Sequence, residues 1–166
     1  MRDHVEQLFA RYRTRGVLID AHLLLLLVVG LLDPHQITSF GRTNTYEPND
    51  FELLACVVEH FEAVVTTPHV LTEPSNFLGQ LPGQRAAQGR AVLARLIPNL
   101  QEEESRSASA LAERSPFQPF GLTDTGIDER ASEAHLVLTD DLPLYHYLAE
   151  QGRDVINFNH LRMASW

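Results

Sequence analysis

Four acidic residues closely follow segments that are apolar enough to be buried strands. Asp20 comes directly after "VLI", and Asp141 lies two residues beyond "LVLT". Glu73 lies one helical turn after "AVVT", and Asp124 opens the segment that follows "FGL". A lone carboxylate buried between apolar runs costs several kcal/mol. The position of Asp20 between two such runs therefore needs a chemical or structural reason.

The carboxyl ends of parallel strands meet at one edge of a sheet, which would bring these four acids together. Carboxylates that lie close together repel one another unless a cation binds between them. Carboxylates and water are the ligands that Mg²⁺ and Mn²⁺ prefer. The sequence therefore predicts that Mg²⁺ or Mn²⁺ is held by Asp20, Glu73, Asp124 and Asp141. The alternative is that these acids only cap helices, which acids at such positions commonly do.

The elements that must position these acids alternate between short apolar runs and helical patterns. Strands are predicted at 17–19, 63–66, 135–139 and within "RDVINF", with helices over 3–14, 21–32, 34–40, 50–61, from Pro68, over 84–113 with a break at Pro98, and over 124–133. The stretch "SPFQPFGL" reads as a loop. This alternation predicts one α/β domain over 1–166, with an amphipathic N-terminal helix within 1–15. Its central, mostly parallel sheet has four or five strands and helices on both faces.

The charge balance excludes several classes of function. The chain has 166 residues and a formal charge of −9, and all 13 of its Lys and Arg residues are arginine. Without lysine, a P-loop nucleotidase and Schiff-base chemistry are excluded. The net negative charge also differs from the overall positive charge that is typical of nucleic-acid-binding proteins. Any contact with nucleic acid must therefore use a local patch or metal ions.

No segment predicts a membrane span or a disulfide. The apolar run from Leu23 to Leu32 is about half the roughly 20 residues that a spanning helix needs, so no membrane partner is expected. The single cysteine, Cys56, cannot form an internal disulfide, which favours a cytoplasmic location. Its apolar neighbours favour core packing over a nucleophilic role.

Four segments in order resemble PIN-domain nucleases, a family that includes the toxins of bacterial toxin–antitoxin pairs. They are "VLIDAHLLLLL", "VTTPHVLTEPSNFL", "FGLTDTGIDERA" and "LVLTDDLPLYHYL", and the likeness covers most of residues 16–158. The family's first motif usually reads Asp-Thr-Asn or Asp-Ser-Asn, whereas here it reads Asp20-Ala21-His22. His22 either replaces the asparagine as a polar helper, adds a ligand, or marks weakened activity.

The resemblance implies a PIN-like fold and a metal-dependent endoribonuclease that leaves 5′-phosphate and 3′-hydroxyl ends. Asp20, Glu73, Asp124 and Asp141 would be its catalytic and metal-binding residues. The implied partners are an RNA substrate, an antitoxin protein and a second copy of the chain in a homodimer. Asp128, one turn after Asp124, is a candidate fifth ligand or supporting group. Arg42 would bind phosphate or form a local ion pair.

Two other functions remain open from the sequence. The first is a PIN-like module that binds nucleic acid or protein and has lost catalysis, which the altered first motif favours. The second is a metal-dependent phosphatase on another α/β scaffold. The absence of lysine and of an Asp-x-Asp motif argues against the usual phosphoaspartate type.

Overall fold

A parallel sheet forms the centre of the chain, whose computed structural model describes residues 2–131 and 135–164. The strands are β1 (Val17–Ile19), β2 (Val64–Thr66), β3 (Gln101–Glu102), β4 (Leu136–Thr139) and β5 (Val155–Asn157). They lie in the order β3-β2-β1-β4-β5, and every neighbouring pair is parallel. The α/β class and the parallel sheet predicted from the sequence are confirmed.

Ten helices within the described ranges flank this sheet. They are α1 (Arg2–Tyr12), α2 (Ala21–Leu32), α3 (Gln36–Ser39), α4 (Pro48–Glu59), α5 (Pro68–Leu78), α6 (Arg85–Leu96), α7 (Ala108–Ala112), α8 (Phe117–Ala131), α9 (Leu142–Glu150) and α10 (Phe158–Met163). None of these helices combines the length and apolar character that a membrane crossing requires.

The order of the strands reverses beside β1, which is where a ligand site is expected. The chain moves from β1 to β2 on one side and later returns to place β4 on the other side of β1. Leu18 pairs with Val65 in β2 and with Val137 in β4, and all three side chains are fully buried. In open parallel sheets, ligands bind outside the carboxyl ends of the strands at such a switch point.

Helix α2 is the buried centre of the helical layer, and its predicted bounds are confirmed. Nine of its twelve residues are buried, because its sequence is apolar almost all round. It packs against α3, α4, α5 and α6. At Gly30 the helix comes so close to α4 that an added Cβ would lie 2.2 Å from the ring of Phe51.

The structure corrects the prediction between 84 and 122. The predicted break at Pro98 is confirmed, because α6 ends at Leu96 and Pro98 lies in a 3-10 turn. Beyond it the chain forms β3, which was not predicted, and only the short helix α7 of the expected helical stretch. The predicted loop before Asp124 is in part helical, since α8 already begins at Phe117. The predicted end of that helix at 133 lies outside the described residues. Cys56 is exposed, so its predicted core packing is wrong.

The contact between Gly30 and Phe51 gives a test of the packing around α2. We expect Gly30→Ala to lower the free energy of unfolding by about 1–3 kcal/mol, because the new methyl group overpacks the core. Gly41→Ala is the matched control, since nothing lies within 4 Å of an added Cβ at that position. Thermal melting of the two variants should separate them, and equal melting temperatures would contradict the close packing.

Candidate active site

A pocket opens at the carboxyl edge of the sheet, and all four acids predicted from the sequence line it. Asp20 follows β1, Glu73 lies in α5, Asp124 lies in α8, and Asp141 follows β4. The complete lining comprises Asp20, Ala21, His22, Glu73, Phe120, Gly121, Leu122, Thr123, Asp124, Asp140 and Asp141. The structure therefore brings together four residues that lie far apart in the sequence.

Asp20 is buried but fully hydrogen-bonded. Its Oδ1 accepts the backbone N–H of Leu23 at 2.8 Å, which caps the first turn of α2. Its Oδ2 accepts the backbone N–H of Asp140 at 2.9 Å, from the segment after β4. One carboxylate thus caps a helix and joins the ends of β1 and β4.

Asp141 is also a helix cap. Its Oδ1 accepts the backbone N–H of Leu144 at 2.8 Å, at the start of α9. Its own N–H donates to the hydroxyl oxygen of Thr139 at 3.0 Å, which fixes the turn between β4 and α9. Asp20 and Asp141 therefore do cap helices, as the alternative expected, and both residues also line the pocket.

Glu73 and Asp124 differ from the two capping acids. Within the described residues, neither carboxylate makes a hydrogen bond or an ion pair. Burial raises the pKa of Asp124 to about 7, and the negative charges of Asp141, Glu73 and Asp140 act in the same direction. Capping does not account for these two carboxylates, and their negative charges repel one another.

Asp140 is a site residue that the sequence analysis missed. Its Oδ2 accepts hydrogen bonds from Nδ1 of His22 at 2.7 Å and from the hydroxyl of Tyr46, and Nδ2 of Asn159 donates to its carbonyl oxygen at 3.0 Å. Burial acts to raise the pKa of Asp140, but the hydrogen bond and the charge of His22 outweigh it, and the pKa lies below its usual value. The burial of Asp20, reinforced by the charge of Asp140, raises the pKa of Asp20 to about 8.

His22 is a cation within this acidic pocket. Its Nδ1 faces the carboxylate of Asp140, and its Nε2 lies 2.5 Å from the carbonyl oxygen of Arg42. Both partners are acceptors, so both ring nitrogens must carry protons for both bonds to form. The hydrogen bond to Asp140 raises the pKa of His22 to about 9. The paired acids of "TDDL" and the histidine in the first motif were the sequence signals for this ion pair.

Two further expectations are corrected. Asp128 does not line the pocket: its carboxylate forms an ion pair with Arg114 at 2.7 Å and lies 4.0 Å from Arg153. The prediction of a fifth ligand is wrong, because arginines outside the pocket neutralise this acid. Arg42 forms no ion pair with any described residue. Its Nε donates to Gln80 at 3.0 Å, and its guanidinium lies over the ring of Phe77 at 4.3 Å.

The donor chemistry of the pocket fits a hard divalent cation. Five carboxylates line it, and those of Glu73 and Asp124 have no hydrogen-bond or ion-pair partner among the described residues. No three His, Cys, Asp or Glu side chains in ranges 2–131 and 135–164 are arranged as a ready-made metal cage. A Mg²⁺ ion does not require such a cage, because it usually keeps several waters and uses one or two carboxylates.

No model of a known protein family matches the chain, and no curated protein is significantly similar to it. The likeness to PIN-domain nucleases therefore stays a prediction that depends on the four sequence motifs.

Two aspartates one turn apart on α8 give opposite predictions for stability. The folded-state pKa of Asp124, about 7, lies above its ordinary value of 3.8, so the folded protein holds this proton more tightly than the unfolded chain. Its contribution to stability is present below about pH 4 and is lost as the pH rises through about 7. We expect Asp124→Asn to raise the melting temperature of the metal-free protein by a few degrees at about pH 8, and by less at about pH 5.

Asp128→Asn is the matched comparison. It removes the charge that pairs with the partly buried Arg114, so we expect it to lower the free energy of unfolding by about 1–3 kcal/mol. Both variants are melted in EDTA, so that no divalent cation contributes. A fall in melting temperature for Asp124→Asn comparable to that for Asp128→Asn would contradict the repulsion described for the pocket.

Proposed function

We propose that the chain is a Mg²⁺- or Mn²⁺-dependent endoribonuclease that hydrolyses phosphodiester bonds in the acidic pocket. The observation that carries this proposal is the convergence of Asp20, Glu73, Asp124 and Asp141 on one pocket at the switch point of a parallel sheet. Among the described residues that line this pocket, no arginine neutralises the four acids. A divalent cation would offset their repulsion and would also attract a phosphate group.

Each acid has a distinct role in this proposal. Glu73 and Asp124, which have no other partner among the described residues, would be the principal ligands. Asp20 and Asp141 are held by backbone N–H groups and would present their outer lone pairs to the cation or to its waters. When bound, the cation would supply Lewis-acid polarisation of the phosphodiester and a water of lowered pKa.

His22 and Asp140 form a pair that supports the site. The imidazolium offsets part of the charge of Asp140, so that this fifth acid adds less to the repulsion among the four proposed ligands. The same ring holds the carbonyl of Arg42 and thereby fixes the loop beside the pocket. In this proposal His22 is a polar helper with a positive charge, and Asp-Ala-His is a working form of the first motif.

Arg42 is the proposed contact for the RNA backbone. Its side chain is exposed, and stacking on Phe77 together with the bond to Gln80 limits its motion. No described residue is bonded to the two terminal nitrogens of the guanidinium, which would bind a phosphate in a defined orientation. A fixed cation on the loop that His22 holds is consistent with RNA binding by a chain whose net charge is −9.

A second candidate function is a PIN-like binding module without catalysis. The observation that favours it is that His22 and Asp140 bind each other, while the acids in the described part of the chain are not arranged as a ready-made metal cage. Restraint by an antitoxin, pairing in a homodimer and a cytoplasmic location are further proposals that depend on the family resemblance.

The nuclease proposal is tested by cleavage of labelled RNA with Mg²⁺, Mn²⁺ or EDTA. We expect cleavage only with a divalent cation, and we expect Glu73→Gln to lower the rate about 100-fold or more, because it removes a ligand charge. Glu59→Gln is the matched control, since Glu59 is exposed near the end of α4 and does not line the pocket. RNA binding without cleavage under every metal condition would instead support the binding module.

The role of Arg42 is tested by Arg42→Ala in the same assay. We expect KM to rise about tenfold or more with little change in kcat, because a charge-assisted bond to phosphate is lost. The slope of the logarithm of the binding constant against the logarithm of the salt concentration should fall by about one, which corresponds to one lost phosphate contact. Arg95→Ala is the control, since Arg95 is an exposed arginine on α6. Equal effects of the two variants would remove Arg42 from the proposal.

A further inference from the structure

A short apolar wall borders the acidic pocket where α8 is broken. Gly121 has φ 79° and ψ −170°, a conformation that glycine alone adopts without strain. In a regular helix, the side chains of residues 120 and 122 would be rotated by about 200° about the helix axis and would therefore lie on nearly opposite faces. The helix is broken at Gly121, and Phe120 and Leu122 on either side of the break both line the pocket that contains Asp124.

The ring of Phe120 is held in place by the next helix. It packs against Tyr147 of α9, with the ring centres 5.1 Å apart and the planes tilted by 48°. The helix that carries Tyr147 is the one that Asp141 caps. The half-buried ring is therefore fixed between the elements that carry two of the proposed metal ligands.

We propose that the ring of Phe120 stacks on an unpaired nucleobase of the RNA whose phosphate lies in the acidic pocket. This inference rests on the proposed nuclease function. A nucleotide presents a charged phosphate and, a few ångströms away, an apolar π face. The pocket offers carboxylates for a cation-bound phosphate and, on the same lining, an aromatic ring for the base. Such stacking tolerates any base, because every base has a π face.

Binding is measured without cleavage, in the Glu73→Gln background with Mg²⁺ present. The probes are a fluorescein-labelled single-stranded RNA of roughly eight nucleotides, a length typical of single-strand sites, and the same oligomer with abasic residues throughout. Phe120→Leu keeps an apolar side chain but removes the ring, whereas Phe120→Trp keeps and enlarges the ring. Phe117→Leu is the matched control, because Phe117 lies in the same first turn of α8 but does not line the pocket.

We expect Phe120→Leu to weaken binding of the normal RNA about tenfold and to leave the weaker binding of the abasic oligomer unchanged. Phe120→Trp should bind the normal RNA at least as tightly as the parent, and Phe117→Leu should match the parent. Equal losses for both oligomers, or no loss for either, would overturn stacking by Phe120 and leave the nuclease proposal standing.

Metal-dependent RNA cleavage by the unmodified chain is measured in parallel, and its absence together with no binding of either oligomer would overturn both. Thermal melting of each variant establishes that it is folded.

Discussion

Two backbone N–H groups hold the buried carboxylate of Asp20, and the acidic edge of the sheet is arranged around that pair of bonds. One group belongs to Leu23 in α2 and the other to Asp140 after β4, so the carboxylate joins the strands where their order reverses. These bonds favour the ionised form, but burial opposes it more strongly and raises the pKa of Asp20. The carboxyl edge of the sheet, which positions the acids, therefore also lowers the stability of the folded protein, as is common at functional sites.

The central part of the fold could be predicted because its strands are buried on both faces. The runs that became β1 and β4 are apolar at every position except Thr139, which is the pattern of covered parallel strands. Strand β3 could not be found in the same way. Its two residues, Gln101 and Glu102, are polar and exposed at the edge of the sheet, and they belong to it through backbone pairing with β2. Side-chain patterns contain little information about such pairing.

The site was predictable to the extent that it depends on strand ends. Asp20 and Asp141 could be placed because each follows an apolar strand. Asp140 directly follows β4 and obeys the same rule, but its pairing could not be predicted, because His22 and Tyr46 lie 118 and 94 residues away in the sequence. The prediction for Asp128 failed for a related reason. Helical spacing relates one residue to another on the same helix, but it does not show that Arg114 binds this acid.

His22 and Asp140 are best understood as one unit. An asparagine at position 22 would supply a neutral amide and leave the charge of Asp140 uncompensated beside Asp20. The imidazolium reduces that repulsion and binds the loop of Arg42 through its second nitrogen. Tyr46 donates to the same carboxylate from beneath the guanidinium of Arg162, which forms two hydrogen bonds with Asp50. The altered first motif is thus connected to α4 and α10 through a continuous chain of polar contacts. Of the five carboxylates that line the pocket, only Asp140 is paired with a cationic side chain among the described residues, and the other four are the ligands in the proposed function.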